Sequence, residues 1–144
     1  MHKSDKYVFP AVFSFYSNGS IGIMFPDLPG CVSSAKTLDE ALYMASDALA
    51  LHISGIEEDG DAIPQPSDCL TLKSSLAQEQ IIVPVMAFMP TVRERIRNRS
   101  VNKMCTVPSW LVHEAERQGL NFSRTLQDAL MLKLGVKRSQ KRSR

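Results

Sequence analysis

Hydrolytic metal chemistry needs several carboxylates converging on one cation. The chain offers three candidates for such a nuclease-like cluster, Asp27, Asp39 and Asp47. Asp39 and Asp47 fall on a predicted helix and Asp27 in the loop after the second predicted strand, but no acid lies in the middle of either long N-terminal strand to complete the set. His2, His52 and His113 show no HExxH spacing, and no GxGxxG or GxxxxGK[ST] phosphate loop occurs. Ser33 and Ser34 stand in no GxSxG elbow. Cys31, Cys69 and Cys105 are odd in number and form no CxxC pair, which points to neither a disulfide framework nor a zinc knuckle. The expectation is a protein that is not an enzyme and carries no metal or cofactor. A divergent nuclease using the three aspartates is kept as an alternative.

Charge says more. The formal net charge of +2 conceals a split. Residues 1–90 hold 4 Lys, no Arg and 11 Asp and Glu, a net of −7, whereas residues 91–144 hold 13 Lys and Arg against 4 acids, a net of +9. Asymmetry on this scale suggests two modules with different partners. The basic half points to a polyanion, most simply nucleic acid; the acidic half suits a basic protein. Two solvated surfaces that merely differ are the bland alternative. At 44% hydrophobic and 22% charged residues the composition is that of a globular protein. No apolar run approaches the roughly 18 residues of a membrane span. The segment "MHKSDKYVFP" has no apolar core of a secretory signal, so the cytoplasm is expected.

These residues need elements to position them. Residues 7–16 are apolar, aromatic and β-rich. Ser17, Asn18, Gly19 and Ser20 form a turn, and residues 21–25 return as the second strand of a hairpin. Residues 31–34 form a short third strand. Thr37-Leu38-Asp39-Glu40 fits a capping box, with Leu38, Ala41, Leu42, Ala45, Leu49, Ile53 and Ile56 following at helical spacing up to Gly60. Residues 80–88, "QIIVPVMAF", form a last strand that Pro84 confines to an edge. Residues 1–90 are therefore predicted as a β-β-β-α-β layer, one helix on one sheet face. Residues 91–100, with Arg93, Arg95, Arg97 and Arg99, read as a basic linker with a short helix and a capacity to attract phosphate.

In residues 101–107, Val101, Lys103, Cys105 and Val107 alternate with Asn102, Met104 and Thr106, which describes one strand with no partner nearby in sequence. Pro108 stops it. Ser109 is expected to cap a helix over residues 110–118, Gly119 to end it, Asn121 to cap a second helix, and Gly135 to end that one. Strand-helix-helix in about 36 residues is too small to bury a core alone. Both deficits vanish if two chains pair their strands across a two-fold axis and share one helical core. The resulting ribbon would fit the DNA major groove. Asn102, Met104 and Thr106 would face the bases, and Asn121, Phe122 and Ser123 would offer a helix N-terminus to phosphate. Lys103 is expected to make a further phosphate contact. A helix-turn-helix is the rival reading. The basic residues 137–144 read as a disordered tail.

At these residues the chain resembles a known family. "FPDLPGC", the "TLDEAL" helix start and the "EDGDAIPQPS" exit occur in order and at the spacing of the HicB antitoxin domain. "CTVPSWLVHEAERQGLNFSRTLQDAL" is similar to the ribbon-helix-helix carried by one branch of that family. The resemblance implies an α+β protein with a partial RNase H-like domain that lacks the nuclease carboxylates. It implies a HicA-like partner, a small basic RNA-cleaving toxin that the acidic domain binds and masks. It also implies operator DNA as a second partner, bound in autorepression by a homodimer formed through residues 101–136. The edge at Pro84 would permit further pairing, to a tetramer. A ligand-sensing transcriptional regulator without a toxin is the other alternative.

Overall fold

The computed structural model describes residues 3–137, and the chain divides into two units, Met1–Ser100 and Val101–Arg144. In the first unit β1 (Lys6–Phe15), β2 (Ile21–Met24), β3 (Val32–Ala35) and β4 (Gln80–Phe88) form an antiparallel sheet in the order β3-β2-β1-β4. Helix α1 (Leu38–Asp59) leaves the β3 edge, and the chain enters β4 at the opposite edge after a short helix, α2 (Cys69–Lys73). Phe9 and Phe13 of β1 are buried in one core cluster with Leu49 and Ile53 of α1 and Phe25 and Leu28 of the loop after β2. Each of these large side chains contributes about 1.5–3 kcal/mol by leaving water.

Local chemistry accounts for most boundaries. Tyr16 N–H donates to Ser20 C=O and Gly19 N–H to Tyr16 C=O, at 3.0 Å each. Gly19 takes the left-handed conformation at φ +85°, while no non-glycine residue has positive φ. The hairpin therefore closes through one left-handed glycine, with Asn18 serving as an acceptor for the Ser20 N–H at 3.0 Å. Thr37 Oγ1 accepts from the Glu40 N–H at 3.2 Å, as a capping box requires, but the Glu40 carboxylate reaches the Lys36 N–H at 2.9 Å, not that of Thr37. Gly60 ends α1 at φ 75°. The expected apolar stripe of α1 is buried at Ala41, Ala45, Leu49 and Ile53, but Leu38 and Leu42 are about half exposed. α2, capped by Asp68, was not expected from the sequence.

The sheet's limits are set by three prolines. Pro10 lies opposite Pro84, and two residues beyond the Val12–Met24 pair the β1–β2 register would set Pro10 against Pro26. Tyr16 N–H points to β2 and Phe15 N–H to the β4 side, where it meets Glu79 C=O. Even-numbered residues of β1 thus address β2 and odd-numbered ones address β4. At Pro10 and Pro26 neither chain has an N–H to give, so β2 stops pairing there. Pro84 faces its missing donor outward, and β4 is an edge strand as expected.

Residues 91–100 differ from the linker expectation. Met89–Arg97 form α3, with Pro90 in its first turn and with Met89 and Val92 buried against the first unit. Arg93 grips Glu57 in a bidentate pair, Nε to Oε2 at 3.0 Å and a terminal nitrogen to Oε1 at 2.6 Å. It also donates to Ser4 C=O at 2.7 Å. Arg95 pairs with Asp47 at 3.2 Å. The physical reason is pairing. These arginines answer acids at the end and middle of α1, so two of the four serve the fold and not phosphate.

The Glu57 side chain is only 6% exposed. The hydrogen bonds from Arg93 hold its carboxyl below the ordinary range, against the upward push of burial. A carboxyl with a lowered native pKa contributes stability that is complete above its unfolded value and lost as pH falls through the native one. Arg93→Ala should cost about 3 kcal/mol in urea denaturation at neutral pH by stranding a buried charge. Glu57→Gln should flatten the fall of stability on acidification below roughly pH 5.

Candidate nucleic-acid interface

The second unit begins with residues 101–107, which belong to no helix or sheet, so the predicted strand is not formed within the single chain. Val101 is 81% exposed and Met104 97% exposed. Asn102, Lys103, Cys105 and Thr106 are exposed as well. A lone segment cannot satisfy its own amides and carbonyls, and the described residues provide it with no strand partner.

Two helices follow, α4 (Ser109–Arg117) and α5 (Phe122–Leu134), and neither contains a buried residue. Pro108, not Ser109, occupies the cap position of α4, and no side chain caps it. The proline already holds extended backbone at φ −55° and ψ 139°, so Ser109 becomes the first helical residue. Gly119 turns the chain at φ +68°, and Leu120 N–H closes the turn on Ala115 C=O at 3.0 Å. Asn121 caps α5 as expected, its Oδ1 accepting from Arg124 N–H at 2.9 Å. Gly135 ends that helix at φ 67°. The amides of Phe122 and Ser123 have no acceptor among the described residues.

Each predicted contact residue is therefore placed, but in two groups. Asn102, Lys103, Met104 and Thr106 lie in that first stretch, and Asn121, Phe122 and Ser123 open α5. No hydrogen bond joins the groups among the described residues. Of the basic tail, residues 138–144 lie outside the described residues.

The rival carboxylates have other work. Asp27 accepts from the backbone N–H of Ser67 at 2.9 Å and from its hydroxyl, pinning the loop that leads to α2. Asp47 is paired with Arg95, and Asp39 sits in the first turn of α1, where the helix dipole favours it. Among the described residues no three His, Cys, Asp or Glu are placed to hold a metal ion. Burial pushes the Cys31 thiol up to about 11, which leaves it unreactive at neutral pH. No helix of the described residues is long and apolar enough to cross a membrane.

An antiparallel four-stranded sheet backed by one long helix, followed by a separate unit of two uncovered helices, defines an α+β protein of two units. The family model described as HicB-like antitoxin of bacterial toxin–antitoxin systems matches residues 9–127, and the chain belongs to that family. A 14.9 kDa protein from the rep–hol intergenic region of Haemophilus phage HP1 is 26% identical over 110 residues, covering 76% of this chain and 80% of the phage protein. Antitoxin HicB 2 of Photorhabdus laumondii is 39% identical over 67 residues, 46% of each chain. Among solved structures, a chain of a toxin–antitoxin complex from Streptococcus pneumoniae aligns over 89% of this chain and 99% of its own length. Its identity is 25% and the TM-score 0.57. The N-terminal domain of the Burkholderia pseudomallei antitoxin HicB shares the fold at 22% identity and TM-score 0.50, over 55% of this chain and 95% of that one.

The cap of α5 gives a direct check. Asn121→Ala should lower stability of the second unit by about 1 kcal/mol, while Asn121→Ser or Asn121→Asp should retain most of it. The measurement is helicity across a thermal melt of the full chain.

Proposed function

We propose that the chain is an antitoxin that masks a HicA-type basic toxin through its first unit. Through a dimeric ribbon-helix-helix over residues 101–136 it also represses its own operon in the cytoplasm. One observation carries the DNA-binding half of this reading. A stretch without a strand partner, residues 101–107, leads into two helices that hold no buried residue, although Leu111, Leu126, Leu130 and Leu134 lie on them. A second copy meets both needs at once: its stretch supplies the missing backbone partners, and its helices cover the leucines. The ribbon then turns Asn102, Met104 and Thr106 outward, doubled by symmetry, with Lys103 and the α5 N-terminus toward phosphate.

Support for the toxin half comes from family membership and from the toxin–antitoxin complex that the chain resembles over nearly all of its length. The first unit is read as a partial RNase H fold in which two of the would-be nuclease carboxylates, Asp27 and Asp47, are absorbed into structural pairs. Its acids outnumber its bases even when α3 is included, 12 against 8 over residues 1–100. A basic protein is the natural counterpart.

Gel shift with the DNA upstream of the operon tests the repressor role. Asn102→Ala and Thr106→Ala should each weaken specific binding about tenfold or more, roughly 1.4 kcal/mol. Loss of binding only on deleting residues 137–144, with both substitutions silent, would replace the ribbon by a nonspecific basic tail. Leu126→Asp should convert the dimer to monomers in sedimentation and abolish the shift. Growth rescue on co-expression with a HicA-type toxin tests the antitoxin role.

A further inference from the structure

The first half of β1 is a sheet edge inside the domain. Over residues 6–10 it is paired with β4 on one side only, because β2 ends at Met24. Even-numbered residues of β1 send their amides and carbonyls to the β2 side, as the Tyr16–Ser20 bond shows. At Lys6 those groups are held by Ser4, whose hydroxyl donates to Lys6 C=O at 2.8 Å and lies 3.4 Å from its N–H. The Val8 N–H, the Val8 C=O and the Pro10 C=O have no hydrogen-bond partner among the described residues. Val8 lines a groove of about 690 Å³ between β1 and the Gly60–Pro66 loop, whereas Pro10 is buried beyond its end. The loop does not fill the role of a strand, since Pro64 and Pro66 have no N–H, and Val8 stays 50% exposed.

Charge selects the occupant. α1 ends beside this groove with Glu57, Glu58 and Asp59 in its last turn, no basic residue there, and Asp61 following on the groove wall. Acids at a helix C-terminus add to the negative end of its dipole and disfavour the helix. Glu57 is answered by Arg93 and by Lys3 at 4.0 Å, while Glu58, Asp59 and Asp61 form no ion pair among the described residues. Lys3 and Lys6 also line the groove, and Lys3 faces the already paired Glu57, so Asp61 is the lining acid without an ion pair among the described residues and the acidic character lies at the α1 end.

We infer that the groove between β1 and residues 60–66 is a strand-addition site for an extended, basic segment of the partner protein. The segment would align with β1 in place of the missing continuation of β2. It would donate to the Val8 carbonyl and accept from the Val8 amide, with one cation at Asp61 on the groove wall and others at the exposed Glu58 and Asp59 that precede it in the chain. This mode of recognition takes its affinity from main-chain bonds and its selectivity from the flanking side chains. The inference rests on the toxin-masking reading, for which it names the docking surface.

The test uses the full chain and a purified HicA-type toxin. Val8→Pro removes the groove-facing donor and leaves the ladder to β4, because Val8 turns its N–H away from β4, to the side on which Pro10 has none to give. Binding by titration calorimetry should weaken tenfold or more with an unchanged melting temperature. Glu58→Lys with Asp61→Lys should weaken binding similarly and leave the melting temperature unchanged or higher, since bases favour a helix C-terminus. Glu79→Lys, at the far end of β1, should bind as wild type. The Val8 amide should exchange rapidly in the free chain and slowly in the complex. Wild-type binding with both groove variants and an unprotected Val8 amide would overturn the groove while leaving the antitoxin reading intact. Absence of binding by the wild-type chain would overturn that reading itself.

Discussion

A strand can be held on both sides only where its neighbours carry donors, and that constraint organises this protein. β1 is the central strand of its sheet, yet it is fully paired only from Val12 to Phe15. Pro10 has no amide for β2, Pro26 has none to return, and Pro84 turns its own missing donor outward. The three prolines decide where β2 stops, why the following chain is released into the Pro26–Gly30 turn, and why β4 is an edge. The core does not suffer. Phe9, beyond the reach of β2, is as buried as Phe13, because α1 and the loop after β2 close over it. Side-chain packing and backbone pairing thus end at different places along one strand.

The same constraint governs the second unit in a harsher form. In the first unit an incomplete ladder is tolerated because a core supplies the stability. In residues 101–137 there is no core in the single chain, and residues 101–107 have no ladder either. The unit still holds its local geometry. Asn121 caps α5, Gly119 and Gly135 supply the left-handed turns, and the Glu114–Arg117 pair spans one turn of α4 at 2.6 Å. Local signals of this kind contribute tenths of a kcal/mol to about 1 kcal/mol each. They shape helices but do not hold two short ones together in water.

What could be read from the sequence follows this division. The hairpin, the capped helix and the glycine stops are local chemistry, and each appears where its residues stand. A short helix was expected in the basic linker, but its attachment to the first unit was not, because the three arginines of α3 mask a short apolar pattern, Met89, Val92 and Ile96, that is helical in spacing. Only the fold reveals that Arg93 answers Glu57 from 36 residues away. The roles of Asp27 and Asp47 were equally illegible, since each depends on a partner distant in sequence, Ser67 and Arg95. Ser109 lost the cap to Pro108 by one position, which composition alone does not resolve. The candidate DNA-facing residues were nameable from alternation. That their stretch and the helices after it are uncovered in the single chain is visible only in the structure.

The position of α3 also changes how the charge asymmetry is understood. With a boundary at residue 90 the halves carry −7 and +9; with the structural boundary at Ser100 they carry −4 and +6. The split survives, but its meaning is more local. Arg93 and Arg95 neutralise Glu57 and Asp47, so the acidic character of the first unit is concentrated elsewhere, notably at the uncompensated end of α1. An acid cluster there is costly to the helix that bears it. It lies beside the stretch of β1 whose amide and carbonyls are unmet. Two separate local penalties, one electrostatic and one of backbone pairing, meet at one groove. A single basic, extended segment, as inferred for the partner, would relieve both, which is a stronger constraint on that partner than net charge alone provides.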